Sequence, residues 1–141
     1  MIGLDTNVIS EIFQPSPERR VVDWLESLDG DVAITSVTLA GLLAGVRHLP
    51  DGRRRDELAR RIDAAIAPYW GGHAVLPFDD VAADRYADVL VARESAGAPI
   101  STADAQIAAI CLVRGAVCAT RNVKGFQHTG VKLVDPWEVG A

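Results

Sequence analysis

Residues 1–11 read MIGLDTNVISE, a short apolar stretch that leads through a carboxylate into a helical pattern. Ile2–Leu4 predicts a buried strand. Apolar side chains at Val8, Ile9 and Ile12 then predict a helix that begins at about Asn7. Asp5 therefore stands between the end of a strand and the beginning of a helix. In an α/β sheet this is the carboxyl edge, where such sheets bind their ligands.

Short apolar segments alternate with helical patterns along the rest of the chain, with Pro and Gly between them. The pattern predicts strands at Ile2–Leu4, Val32–Thr35, Ala74–Leu76, Ala116–Ala119 and Val131–Val134. It predicts helices at residues 7–13, 17–28, 38–49 (capped by Thr38), 53–67 (closed by Pro68 and Gly71-Gly72), 79–95 and 101–114, and a loop at 120–130. This order predicts an α/β fold with one domain over residues 1–141. We expect a parallel sheet of four to five strands, flanked by helices on both faces.

This topology also brings distant polar residues to one edge of the sheet. A helix that covers a parallel sheet runs antiparallel to its strands, so helix starts lie at the carboxyl edge. Asp104 lies near the start of the helix at 101–114, and the helix start at 38–41 lies at the same edge. Residues 120–122, Thr-Arg-Asn, follow the strand that ends at Ala119. We expect these segments to form a cleft in which Asp5 and Asp104 suit a hard divalent cation.

Each of these residues also has a purely structural interpretation. Asp5 after a strand would serve as a helix N-cap. The spacing Ser101-x-x-Asp104 resembles a capping box with Asp in place of Glu, and an acid in the first turn suits the helix dipole. Asn122 would be an ordinary turn residue. These interpretations do not explain why the caps converge on one edge.

The composition excludes several functional classes. The net charge of −5 argues against general polyanion binding, although arginines cluster in one region, at positions 47, 53, 54, 55, 60 and 61. That cluster indicates a solvated helix face, or a surface for RNA phosphates or an acidic partner. Cys111 and Cys118 match no zinc spacing and are interpreted as buried thiols. No apolar run reaches the ~18 residues of a membrane helix, and no secretory signal is recognisable, so we expect a cytoplasmic location without membrane contact.

The sequence resembles the PIN-domain ribonucleases of the VapC toxin group in five stretches, in family order and spanning nearly the whole chain. These stretches are Ile2–Glu11, Ile34–Ala40, Pro99–Ala109, Ala119–Val123 and Thr129–Trp137. The resemblance implies a metal-dependent endoribonuclease, with Mg²⁺ as the cofactor and Mn²⁺ as a possible substitute. It further implies a homodimer that a small VapB-like antitoxin holds inactive, with RNA as substrate and DNA contacted only through the antitoxin.

The resemblance assigns roles to particular residues of this chain. The family's first acid falls on Asp5 and its third on Asp104, which are the expected metal ligands. The frequent fourth acid falls on Asn122, a position where many relatives also carry Asn. Thr6 matches a hydroxyl that often accompanies the first acid. Thr120 is expected in the outer shell of the site and Arg121 on the substrate phosphates.

Gly41 is the departure that matters, because the family has a glutamate after Thr-Leu-Ala and this chain has glycine. Glycine inside a helix costs about 1 kcal/mol relative to Ala, so we expect close backbone packing as its structural reason. Its functional meaning is a missing carboxylate. We therefore expect weak metal binding and strongly reduced catalysis, because chemistry with two metal ions needs ligands for both.

Two functions from different classes remain in competition. The first is the endoribonuclease toxin, attenuated at Gly41. The second is a catalytically inactive PIN domain that binds an antitoxin without cutting RNA. A haloacid-dehalogenase phosphatase is disfavoured, since that family has Asp-x-Asp where this chain has Asp5-Thr6-Asn7.

Overall fold

A computed structural model describes residues 1–69 and 74–139. The five strands are β1 (Ile2–Leu4), β2 (Val32–Thr35), β3 (Val75–Leu76), β4 (Val117–Ala119) and β5 (Leu133–Val134). They form one sheet in the order β3-β2-β1-β4-β5, and every neighbouring pair is parallel. The expected parallel α/β sheet is confirmed, at the upper end of the expected strand count.

Seven helices connect these strands: α1 (Thr6–Ile12), α2 (Arg19–Glu26), α3 (Ser36–Arg47), α4 (Arg53–Ile66), α5 (Asp80–Ser95), α6 (Thr102–Arg114) and α7 (Val123–Phe126). The helix predicted at residues 17–28 is shorter at both ends. The short α7 lies inside the segment that was predicted as a loop. Trp70, Gly71, Gly72 and His73 lie outside the described residues, and so does the predicted helix stop at Gly71-Gly72.

Both faces of the sheet are covered by helices, as the alternating side chains of β2 show. Ile34 packs into a cluster with residues of α1 to α4, whereas its neighbour Ala33 packs with residues of α5 and α6. Successive strand residues point to opposite faces, so the two clusters lie on opposite sides of the sheet. On the α6 side, a Cβ on Gly3 would stand 3.2 Å from the Cys111 sulfur, so glycine allows this helix to pack closely on β1.

The cap of α3 differs from the prediction. Thr38 does not cap the helix; it is buried in its first turn, and its backbone N–H donates to the Thr35 hydroxyl at 3.1 Å. Thr35 ends β2 in an extended conformation and is itself the N-cap, so strand and helix meet without a loop. The start of α3 therefore lies directly at the carboxyl end of β2.

Cys111 and Cys118 are both free and buried, in agreement with their interpretation as core thiols. Among the helices of the described residues, none is long and apolar enough to cross a membrane.

Candidate active site

An open cleft of about 550 Å³ lies at the carboxyl edge of the sheet, where β1 and β4 are neighbours. Connections leave the sheet in opposite directions at this point, which is where α/β sheets commonly bind ligands. The cleft is lined by Asp5 after β1, Gly41 in α3, Asp104 in α6, and Arg121 and Asn122 after β4. The structure thus brings together the residues that the topology argument placed at this edge.

Asp5 is buried and held by neighbouring donors. Its Oδ1 accepts from the backbone N–H of Thr6 at 2.8 Å, and its Oδ2 accepts from the Thr120 hydroxyl at 2.8 Å. The residue is therefore the N-cap of α1, as the structural interpretation predicted, and also a wall of the cleft. Capping fixes the carboxylate at the sheet edge and is compatible with a functional role.

Asn7 is a site residue that the sequence reasoning missed. Its side-chain N–H donates to Asp5 Oδ2 at 3.2 Å and to the Thr120 hydroxyl at 3.2 Å, while its Oδ1 accepts from the Arg121 backbone N–H at 3.2 Å. It therefore joins the segments after β1 and β4. The signal in the sequence was its position two residues after Asp5, which allows a local bond to that carboxylate.

Burial raises the pKa of Asp5 above 3.8, and the negative charge of Asp104 raises it further. The bonds from Thr120, Thr6 and Asn7 act in the opposite direction, because they stabilise the ionised form. Desolvation is the largest of these effects. An ionised Asp5 is consequently costly in the protein without a cation, and a bound cation would relieve that cost.

Asp104 lies at the third position of α6, where its backbone N–H donates to the Ser101 hydroxyl at 3.2 Å. This bond is one half of the predicted capping box. The second bond of a capping box would run from the Ser101 backbone N–H to the Asp104 carboxylate. Within the described residues that bond is absent. The partly exposed carboxylate instead lines the cleft.

Thr6 and Thr38 link α1 to α3 beneath the cleft. The Thr6 hydroxyl donates to the Thr38 hydroxyl at 3.3 Å, and the Thr35 hydroxyl lies 3.3 Å from the same oxygen. Thr6 also lines the cleft.

Arg121 and Asn122, which follow β4, form part of the rim of the cleft. Asn122 is the N-cap of α7, and its side-chain oxygen accepts from the Gly125 backbone N–H at 3.2 Å. It therefore reaches Asp5 only indirectly, through the bond from its own backbone N–H to the Thr120 hydroxyl at 3.0 Å. The Arg121 guanidinium lies 5.0 Å from the centre of the Trp137 ring, within cation–π range, and Arg121 is exposed.

The expectation of close backbone packing at Gly41 is wrong. Close packing does not explain the glycine, because a Cβ built at this position has no atom within 4 Å. Gly41 is exposed in the second turn of α3 and forms part of the cleft wall. A side chain here would extend into the open space that Asp5 and Asp104 also border.

Gly41→Ala is expected to stabilise the protein by about 0.5–1 kcal/mol, because Ala lowers the entropy of the unfolded chain and fits the open space. The urea unfolding midpoint measures this effect. Gly45→Ala is the matched control, since Gly45 is in the same helix and equally open but does not line the acidic cleft. Destabilisation by Gly41→Ala alone would restore the packing explanation.

The donor set fits one oxygen-liganded cation. In residues 1–69 and 74–139 no group of three or more His, Cys, Asp or Glu side chains is arranged to hold a metal. Two carboxylates are enough for Mg²⁺, which usually keeps several waters and takes one or two protein carboxylates. Asp5 and Asp104 could therefore hold one such ion; Glu11 also lines the cleft but does not complete a three-carboxylate cluster with them.

A five-stranded parallel sheet with an acidic cleft between β1 and β4 defines an α/β protein with a candidate metal site at the carboxyl edge of its sheet. The model of the PIN domain matches residues 2–132, and the chain belongs to the PIN-domain family. It is 36% identical to the VapC ribonuclease Y4jK of Sinorhizobium fredii over 139 residues, which cover 98% of this chain and 99% of that protein. It is 39% identical to Toxin FitB of Neisseria gonorrhoeae over 138 residues, covering 97% and 99%.

The solved structures agree with this assignment. A structure described as FitAB bound to an IR36 DNA fragment superposes with a TM-score of 0.90 at 37% identity, covering 100% of this chain and 99% of that one. The predicted resemblance to the VapC toxin group is thereby confirmed.

Proposed function

We propose that this chain is a metal-dependent endoribonuclease of the toxin type, attenuated by the glycine at position 41. The observation that carries the proposal is the cleft at the β1–β4 switch point, where Asp5 and Asp104 converge and Gly41 leaves part of the wall bare. The similarity to proteins named VapC ribonuclease and toxin FitB supports the reaction class.

Asp5 and Asp104 are the proposed ligands for Mg²⁺, with Mn²⁺ as a possible substitute. When bound, such an ion lowers the pKa of a coordinated water, which makes a nucleophile for the phosphodiester. The chain's own residues fix the ligands: Thr120 and Asn7 bond to Oδ2 of Asp5, and Thr6 bonds to Oδ1. Burial of Asp5 keeps this carboxylate in one orientation.

Arg121 is the proposed contact for an RNA phosphate near the reacting bond. It is the only Lys or Arg that lines the cleft among the described residues. Its stacking on Trp137 holds the guanidinium at the rim, next to Asn122. The arginines of α4 make a weaker case, because Arg55 pairs with Asp51 and Arg61 with Glu57, as on an ordinary solvated helix.

The proposed partner is a VapB-like antitoxin, through which alone the chain would contact DNA. The proposed oligomeric state is a homodimer, and the proposed location is the cytoplasm. Support comes from the structural relative described as FitAB bound to DNA. The chain also has an apolar groove of about 460 Å³ between α1, α3 and α4, which includes Phe13, Leu42 and Leu58.

A second candidate function is that of a binding module that captures an antitoxin without cutting RNA. The observation in its favour is that groove and cleft are continuous, since Thr6, Ser10, Gln14 and Gly41 line both. A peptide in the groove would reach the acidic cleft across the glycine. This function needs no catalytic metal.

The chain as it stands is expected to cut RNA slowly with Mg²⁺ or Mn²⁺ and to stop completely when EDTA is added. Gel analysis of a labelled RNA at micromolar protein measures the reaction. Asp104→Asn should remove the residual cleavage, because it deletes one of two ligands, whereas Asp80→Asn in the exposed first turn of α5 should not. Cleavage that persists in EDTA or in Asp104→Asn would contradict the proposal.

A further inference from the structure

Arg93 is a buried cation that no part of the proposed reaction explains. It lies in the last turn of α5 with 5% of its surface exposed. Its guanidinium donates to four backbone carbonyl oxygens, those of Ala98, Pro99, Gly125 and Gln127. No carboxylate of the described residues forms a salt bridge with it.

These carbonyls come from two segments that are distant in sequence. Ala98 and Pro99 belong to the turn before α6, which leads through the Ser101 cap to Asp104. Gly125 and Gln127 belong to α7 and its end, and the Nη1 of Arg93 reaches their oxygens at 2.6 and 2.8 Å. One side chain therefore joins the segment that carries Asp104 to the segment that carries Asn122.

The second segment is anchored by Phe126, which is buried in the cluster against α6 and whose carbonyl accepts from the Thr129 hydroxyl at 2.6 Å. Other carbonyls at the end of α7 depend on Arg93. The four residues of α7 are one turn of helix, so its last carbonyls have no partner further along the helix. Asn122 caps its start, and Arg93 satisfies carbonyls at its end. The loop continues through His128 with a φ of 64°, a conformation that a residue with a side chain seldom adopts without surrounding constraints.

The chemistry of the contact requires an arginine. A guanidinium presents five N–H donors in a rigid plane and stays charged, so it can bond to several carbonyls on two sides at once. A lysine of similar length would present three donors at a single point. Burying such a charge is costly unless its donors are satisfied, which four carbonyls achieve here.

We propose that Arg93 is a positioning residue for the acidic cleft: it sets the separation between the start of α6, with Asp104, and the loop after β4, with Asn122. This inference rests on the proposed function for its consequence in catalysis, but the coupling of the two segments stands on the hydrogen bonds alone. Arg93 does not line the cleft, so it would act on substrate or metal only through the segments that it joins.

Hydrogen exchange on the protein without metal tests the coupling directly. In Arg93→Met, amide protection is expected to fall at least tenfold in peptides that cover 98–105 and in those that cover 122–130, while β1 and β2 keep theirs. Arg93→Lys should lie between Met and the parent. Ile66→Ala is the matched control: it empties a buried site in α4 that does not touch these segments. Unchanged protection in both peptides, or equal losses in the control, would overturn the proposal.

The consequence for the cleft is measured by Mn²⁺ binding, followed by the electron paramagnetic resonance signal of the free ion. The dissociation constant is expected to rise about tenfold in Arg93→Met and to stay unchanged in Ile66→Ala. In a Gly41→Glu background, kcat for RNA should fall with little change in KM. Loss of protection without loss of Mn²⁺ affinity would reject the positioning role. Absence of Mn²⁺ binding by the parent would instead contradict the proposed function and leave the coupling to be decided by hydrogen exchange.

Discussion

Gly41→Glu is expected to raise the rate of RNA cleavage by this chain about 100-fold or more, the scale on which single electrostatic groups act in active sites. The new carboxylate would enter open space in the cleft wall, since a Cβ at this position has no neighbour within 4 Å. It would add a carboxylate to the three that already line the cleft, those of Asp5, Glu11 and Asp104. Cleavage of a labelled RNA at equal protein concentration, with Mg²⁺ and with Mn²⁺, measures the gain.

Two matched variants show whether charge at position 41 is responsible. Gly41→Gln has nearly the same size and helix propensity but no charge, so it should gain little. Gly41→Glu combined with Asp104→Asn should lose the gain, because a metal ligand is gone. Equal rates for Glu and Gln would contradict the proposed role of the carboxylate. A Glu variant that cuts no RNA would favour the binding module.

Asp5→Asn is expected to have two opposite effects. In the Gly41→Glu background it should lower the cleavage rate about 1000-fold, since it removes the ligand at the centre of the hydrogen-bond network. In the chain without metal it should raise the melting temperature by a few degrees at neutral pH. The reason is that burial raises the pKa of Asp5, so its ionised form destabilises the fold.

The sign of the pH dependence follows from that shift. Because the pKa is raised in the folded protein, the folded state holds this proton more tightly than the unfolded chain does. The resulting stabilisation is complete below pH 3.8 and is lost as the pH rises through the folded pKa. The advantage of Asp5→Asn should therefore be absent at low pH and grow as the pH rises from 3.8 through the folded pKa.

Thermal melts in EDTA across this pH range provide the measurement, and Mg²⁺ provides a second check. Saturating Mg²⁺ should stabilise the parent more than Asp5→Asn and so reduce the difference. Thr120→Val is a control in which the change in stability should have the opposite sign. It keeps the Asp5 carboxylate but deletes the hydroxyl that donates to Oδ2, so it should destabilise the protein most at neutral pH. A pH-independent gain in Asp5→Asn would contradict the electrostatic cause.

The parallel sheet, and the edge at which its polar loops converge, could be predicted from the sequence because both follow from the order of strands and helices. Asp5 and Asp104 converge since helix starts and strand ends share one edge, whatever the side chains are. Their roles as metal ligands remain predictions. The cap of α3 was misplaced by three residues because Thr35 and Thr38 are both plausible caps, and only their geometry distinguishes them.

Other features depend on neighbours that are distant in sequence. The packing explanation for Gly41 was wrong because helix propensity says nothing of the space around a residue. The short α7 escaped prediction because one turn, containing Gly125, has no periodic pattern. In the sequence, Arg93 cannot be distinguished from a surface arginine of a helix. Its role depends on the carbonyls of two remote segments, which only the fold brings around it.

The empty surroundings of Gly41 have a consequence for how this gene can change over generations. A Cβ at position 41 meets no atom within 4 Å, so an exchange between Glu and Gly creates no steric clash in either direction. Cellular proteolysis, which removes chains that fold poorly, would therefore meet no packing defect in either form. Under the proposed function, selection at this codon would act chiefly on toxicity, and a single substitution would separate a harmless copy from an active nuclease.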